Sequence, residues 1–169
     1  LLTPFFFTAL IYYEAGKEYY RWTAFGLFLT ATLTDALDGF LARVTRKRTE
    51  LGRFLDPLAD KLLLLSGFLG ILLVDALIYR PPLWVTVTIV FRDMVILTGL
   101  IVIYLISGRI RVQPNFLGKV TTASQMATLI AILLQWAVSI PLSYFTAGFT
   151  ILSCLAYIVR DLRRLNIPT

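Results

Sequence analysis

Long apolar runs, broken by short polar or proline-containing stretches, set the pattern of this chain. They extend from Leu1 to Tyr13, Trp22 to Ala42, Phe54 to Tyr79, Leu83 to Ser107, Phe116 to Ile140 and Pro141 to Val159. All but the first approach or exceed the roughly 20 residues that a helix needs to cross a hydrocarbon core. The first, as a helix rising 1.5 Å per residue, covers only about 20 Å and reads as a truncated first span. A signal peptide is the alternative, but no basic leader or small-residue cleavage site precedes the polar stretch from Glu14 to Glu18. Without an internal repeat, low-complexity tract or long linker, residues 1–169 are expected to form one transmembrane domain. The predicted fold is an all-α integral membrane bundle of six transmembrane helices.

Composition supports a membrane location. Of 169 residues, 58% are hydrophobic and only 15% charged, and the mean hydropathy of +0.79 is too high for an ordinary soluble domain. Cys154 is the one cysteine and there is no histidine. That excludes a disulfide framework, a zinc site built on Cys or His, histidine-ligated haem and any histidine general base. The net charge of +6 would suggest nucleic acid in a soluble protein, but no nucleic-acid motif is present and topology accounts for the basic residues. If the chain starts in the cytoplasm and alternates, the inner segments collect Arg43, Arg46, Lys47, Arg48, Arg53, Arg109, Arg111, Arg160, Arg163 and Arg164. The outer loops keep Lys17, Arg21 and Arg80. This positive-inside bias predicts that both termini are cytoplasmic. Lys61, Arg92 and Lys119 fall within spans, where each needs a partner or a function.

Four aspartates carry the candidate chemistry. Asp35 and Asp38 share a helical face near the end of the second span, and Asp56 and Asp60 share one at the start of the third. A short basic loop joins those ends, so the two spans are antiparallel neighbours and the four carboxylates can converge just below the cytoplasmic surface. Like charges about 4 Å apart repel by about 4 kcal/mol at an effective dielectric near 20, so such a cluster calls for cations. Oxygen-only ligands favour Mg²⁺, Mn²⁺ or Ca²⁺, and two divalent ions would balance the four charges. Capping alone explains Asp56 before Pro57, but not Asp35 and Asp38 within an apolar helix. Gly39, Ala42 and Gly52 leave the backbone bare for a close ligand, and Arg43, one turn beyond Gly39, is placed to meet a phosphate. Each of these, taken singly, is as well explained by helix packing or by a snorkelling cation.

Written as a spacing, the stretch is D-x2-D-G-x2-A-R-x8-G-x3-D-x3-D, from Asp35 to Asp60. It resembles the signature of the CDP-alcohol phosphatidyltransferase family at all its fixed positions. Leu55-Asp56-Pro57-Leu58-Ala59-Asp60-Lys61 and Leu117-Gly118-Lys119-Val120 are similar to the branch that makes phosphatidylglycerophosphate or cardiolipin. The resemblance implies a membrane enzyme, usually a homodimer, that moves a phosphatidyl group from CDP-diacylglycerol to an alcohol and releases CMP. By position it makes Asp35, Asp38 and Asp56 metal ligands, and Asp60 the general base that also touches a metal. Two Mg²⁺ or Mn²⁺ ions would be the cofactors. Asp38, Gly39, Ala42, Arg43 and Gly52 would line the nucleotide site. The expected setting is a bacterial-type inner or plasma membrane, with the active site facing the cytoplasm.

The acceptor is left as glycerol-3-phosphate or phosphatidylglycerol. Arg92 and Lys119 are the candidate contacts to its phosphate, with a structural ion pair as the alternative for Arg92 and Asp93. Relatives that use glycerol-3-phosphate tend to carry further cations where this chain has Leu100 and Thr121. Relatives also begin with an amphipathic segment and polar motif ahead of the first span, whereas this sequence opens at Leu1-Leu2-Thr3-Pro4. The rival class is an ion-coupled transporter using the intramembrane aspartates, although the acids cluster at one end and no inverted repeat is present. Thr34, Thr121, Thr122 and Ser124 could contact substrate, but such hydroxyls usually bond back to their own helix.

Overall fold

The computed structural model describes residues 2–44, 50–107 and 116–165, with the side chains at 39–44, 50–57, 100, 103–104, 106–107 and 156–165 outside the described set. Among the described residues every regular element is helical. The helices are α1 (Thr3–Ile11), α2 (Glu18–Val44), α3 (Glu50–Leu73), α4 (Leu83–Ser107), α5 (Phe116–Leu133) and α6 (Ser139–Leu165). Each apolar segment of the sequence corresponds to one of them, and α4 has the expected bounds.

Two helices stop earlier than hydropathy predicts. The third segment is apolar to Tyr79, yet α3 ends at Leu73. Beyond it Val74 and Leu77 stay buried while the chain turns, Asp75 pairs with Arg80, and Pro81-Pro82 leads into α4, whose first amides bond to the Pro82 carbonyl. The fifth segment is apolar to Ile140, but α5 ends at Leu133 in a Schellman turn. Gln135 takes φ +54°, its N–H donates to the Ile132 carbonyl, and the Trp136 N–H donates to Ala131. Helix α6 then starts at Ser139, two residues before Pro141, which sits in a first turn whose amides have no intrahelical partner. Hydropathy could not show these stops, because the few polar residues that form the turns are set singly within apolar sequence.

Helix α1 packs on α2 and α3, α3 on α4, and α6 on both α4 and α5, while α2 and α3 each touch α5. The core holds Phe6, Phe28, Phe68, Ile89 and Leu129. Two glycines let neighbouring helices press against α3. A Cβ on Gly67 would lie 2.6 Å from Leu129 Cδ2, and one on Gly70 would lie 2.5 Å from Leu10 Cδ2. Close approach over small residues is a main source of cohesion between helices in lipid, where the surrounding tails are as apolar as the core.

Polarity runs opposite to that of a soluble bundle. Phe5, Leu33, Leu73, Phe91, Leu105 and Phe116 are exposed, whereas Arg92, Asp93, Gln125, Thr128 and Thr146 are buried. Among the described residues, α5 is the one helix whose full length and composition suffice to cross a membrane, and the apolar stretch Ser139–Leu155 of α6 is shorter.

At one end of the bundle three connections interlock. The Ile78 N–H donates to Gln135 Oε1 at 2.9 Å, Ser139 Oγ donates to the Tyr79 carbonyl at 3.0 Å, and Arg21 Nη1 donates to the Leu133 carbonyl at 2.7 Å. Arg21 also pairs with Glu18, its guanidinium lying over the ring of Trp22. Gly16, at φ +94°, makes the tight turn from α1 to α2 that other residues would resist. Lys17, Arg21 and Arg80, the basic residues assigned to one side of the membrane by alternation, all belong to this end.

Candidate functional site

The opposite end, where α2 finishes and α3 begins, carries the aspartates. A cleft of about 240 Å³ lies between α1, α2 and α3, lined by Leu2, Thr3, Ala31, Thr34, Asp35, Asp38, Ala59 and Leu63. Asp35 and Asp38, one turn apart on α2, share it as their spacing predicts. Both are exposed rather than buried, because the face of α2 that carries them opens onto the cleft instead of packing on α3. Thr34, beside them, returns its hydroxyl to the Thr30 carbonyl.

Asp60 sits one residue beyond Ala59 of the cleft wall. It is half-buried on α3, within electrostatic range of Asp35, Lys61 and Asp93. Among the described residues no three acidic side chains stand close enough to hold a metal ion. Asp56, the fourth carboxylate, and Gly39, Ala42, Arg43 and Gly52 lie outside the described side chains; their backbone belongs to the end of α2 and the start of α3.

Behind Asp60 the interior holds a polar centre. Asp93 on α4 is 2% exposed and its Oδ1 accepts from Arg92 Nη1 at 2.7 Å and from Lys61 Nζ at 3.0 Å. Its Oδ2 accepts from Gln125 Nε2 on α5 at 2.9 Å. Arg92 Nη2 reaches Ser153 Oγ on α6 at 3.0 Å, and Lys61 is also 3.4 Å from Thr122 Oγ1. One carboxylate therefore ties together side chains from α3, α4 and α5, and through Arg92 it reaches α6. Of the two readings of Arg92 and Asp93, the ion pair is formed. A buried pair of this kind persists only when its hydrogen bonds are nearly complete, because desolvating two ions costs several kcal/mol each. Lys119 lies apart, exposed on the first turn of α5.

Gln125, Ser153 and Thr122 take part in this centre without having stood out in the sequence as its members. A signal for Gln125 was present: Thr121, Gln125 and Thr128 recur at helical spacing in an apolar segment, and all three are buried. Thr121 and Ser124 do bond back to their own helix, to Leu117 and Thr121 respectively. Thr121 also reaches the Phe149 carbonyl at 3.3 Å.

A family model described as CDP-alcohol phosphatidyltransferase matches residues 1–158. The chain is similar to a CDP-diacylglycerol–glycerol-3-phosphate 3-phosphatidyltransferase of Bacillus subtilis, 37% identical over 109 residues, covering 64% of this chain and 53% of that protein. An enzyme of the same name from Shigella flexneri is 32% identical over 169 residues, covering 94% of this chain and 87% of the relative. A human cardiolipin synthase (CMP-forming) is 32% identical over 157 residues, covering 79% and 51%. The chain thus spans about half the length of the Bacillus and human proteins.

Proposed function

Because the chain belongs to the CDP-alcohol phosphatidyltransferase family, we propose that it transfers the phosphatidyl group of CDP-diacylglycerol to a glycerol-type alcohol and releases CMP. The observation that carries this reading is the placement of Asp35 and Asp38 along one cleft, with Asp60 in electrostatic range of Asp35. The chemistry needs carboxylates there and no histidine, and the chain has none to offer.

The acidic donors at this end are carboxylate oxygens, a set that suits hard divalent cations such as Mg²⁺ or Mn²⁺. Asp35, Asp38, Asp56 and Asp60 would hold two such ions, which when bound would offset the charge of the diphosphate and of the leaving CMP. The remaining work belongs to the chain itself. Asp60 accepts the proton of the acceptor hydroxyl as that oxygen bonds to the phosphorus bearing diacylglycerol. The bond from this phosphorus to the CMP oxygen breaks, and its electron pair leaves with CMP. Asp38 and Arg43 contact the nucleotide, and Gly39, Ala42 and Gly52 let it approach the backbone. Arg92 and Lys119 take the acceptor's phosphate.

In this reading the six helices span a bacterial-type inner or plasma membrane as a homodimer. Both termini and the aspartate end face the cytoplasm, where a water-soluble nucleotide can enter while the acyl chains stay in lipid. The basic-residue bias and the apolar exterior support this orientation. The bacterial relatives' names carry glycerol-3-phosphate, and the human relative is a cardiolipin synthase. For this chain the acceptor is accordingly glycerol-3-phosphate or phosphatidylglycerol.

The test is CMP release by the purified full-length protein in detergent, with CDP-diacylglycerol, Mg²⁺ or Mn²⁺, and each acceptor alone. Release with one acceptor is expected, abolished by EDTA and restored by the metal. Silence with both, from protein that remains folded, overturns the reading.

A further inference from the structure

The polar centre around Asp93 carries two cations and one anion. Lys61 and Arg92 share a single bonded carboxylate, which leaves one formal positive charge among the bonded groups, since Asp60, the other carboxylate acting on Lys61, is committed to the metal ions in the proposed reaction. Both oxygens of the Asp93 carboxylate are engaged, and the third donor to it is the neutral amide of Gln125. A lysine or arginine in place of Gln125 would add a second surplus charge, and a glutamate would cancel the first. An amide completes the shell of Asp93 and leaves the surplus intact. Among the described residues the network is also not closed upon itself, since Arg92 Nε and Gln125 Oε1 find no hydrogen-bond partner there although both are buried. A network built only for stability gains by closing such groups. Over Arg92 the backbone is bare: a Cβ on Gly118 would come no nearer than 3.9 Å to Nη2.

We propose that Gln125 and Asp93 are positioning residues for the acceptor alcohol's phosphate, holding Arg92 and Lys61 in register so that their one uncompensated charge meets that anion. The inference rests on the reading that Arg92 takes the acceptor. It adds Lys61 to that contact and assigns the spacing of the two cations to a carboxylate and an amide that do not touch substrate. Asp93 fixes both cations through one oxygen, and Gln125 stops the carboxylate from rotating by holding the other.

Gln125→Met keeps the volume and removes the donor to Asp93. With the acceptor that supports CMP release in the wild type, it is expected to raise KM for that acceptor about tenfold, with kcat and KM for CDP-diacylglycerol changed by less than about threefold. Gln125→Asn, whose shorter amide can reach Asp93 through a water, should recover most of the loss, to within about threefold of the wild-type KM. Thr128→Val is the comparison, because it removes an equally buried hydrogen bond, to Thr146, on the same helix without touching a cation. It should lower the unfolding temperature and leave both KM values in place. Should Gln125→Met not fold in detergent, the same KM ratio is read from Gln125→Asn. If the wild type is active and the glutamine variants move both KM values together, or neither, the positioning role falls while the proposed activity stands. If the wild type releases no CMP with either acceptor, that activity falls and the inference with it.

Discussion

On one side of α3 the polar groups face an open cleft, and on the other they are sealed in the bundle. Asp35 and Asp38 are exposed along the cleft, where water or a charged ligand can balance them. Asp93 and Arg92 are almost fully buried and bonded to each other at 2.7 Å, with Lys61 at 3.0 Å and Gln125 at 2.9 Å completing the shell of Asp93. Asp60 and Lys61 are consecutive residues, yet Lys61 bonds to the sealed centre while Asp60 stands between it and the cleft. A helix turns by about 100° per residue, so one dipeptide can serve two environments. The open region leaves its charges to be balanced by what enters the cleft, whereas the sealed one fixes the spacing of its cations through bonds among its own groups.

The comparison is broken most severely at Asp60. Asp60→Asn removes the proposed base but keeps the shape, and CMP release is expected to fall by about a hundredfold or more with the helical circular dichroism unchanged. Unchanged activity would remove Asp60 as the base. Next is Asp93→Asn, which strands the buried Arg92 and the partly buried Lys61. The expected loss is about 3–5 kcal/mol, read as a lower unfolding temperature in detergent before any effect on turnover is considered. A sharper test of the packing between the two regions is Gly67→Val, which pushes a branched side chain against Leu129. Overpacking of this kind costs about 1–3 kcal/mol, measured by the same thermal scan. Smallest is Thr128→Val, at about 0.6–1 kcal/mol for one hydroxyl bond between membrane helices. Were Thr128→Val to cost as much as Asp93→Asn, the ionic centre would have no special weight in the bundle.

Much of the cleft was legible because it is local in sequence. Asp35 and Asp38 are one turn apart, and Asp60 follows across a single connection, so helical periodicity alone brings them to one end. Their exposure was not legible, because it depends on which face of α2 the neighbouring helices leave open. The sealed centre is the reverse case. That Lys61 and Arg92 needed partners followed from their position in apolar segments, but their common partner joins residues 32 apart in the chain, and Gln125 comes from a further helix. Helix ends show the same division: α4 was read to the residue, whereas the stops of α3 and α5 lie in apolar sequence. They are decided by the Asp75–Arg80 pair, by Gln135 in the left-handed region, and by bonds between separate connections.

The sequence by itself determined that the described elements are helical, that the segments are long and apolar, that the basic residues are asymmetric, and that Asp35 and Asp38 come to one end with Asp60 near them. All of these depend on composition and on periods of a few residues. Only the tertiary structure decided which cations Asp93 holds, which glycines admit a neighbouring leucine, and which aspartates face open space. Those outcomes depend on where helices distant in sequence come to lie, and burial and electrostatics act through distance in space.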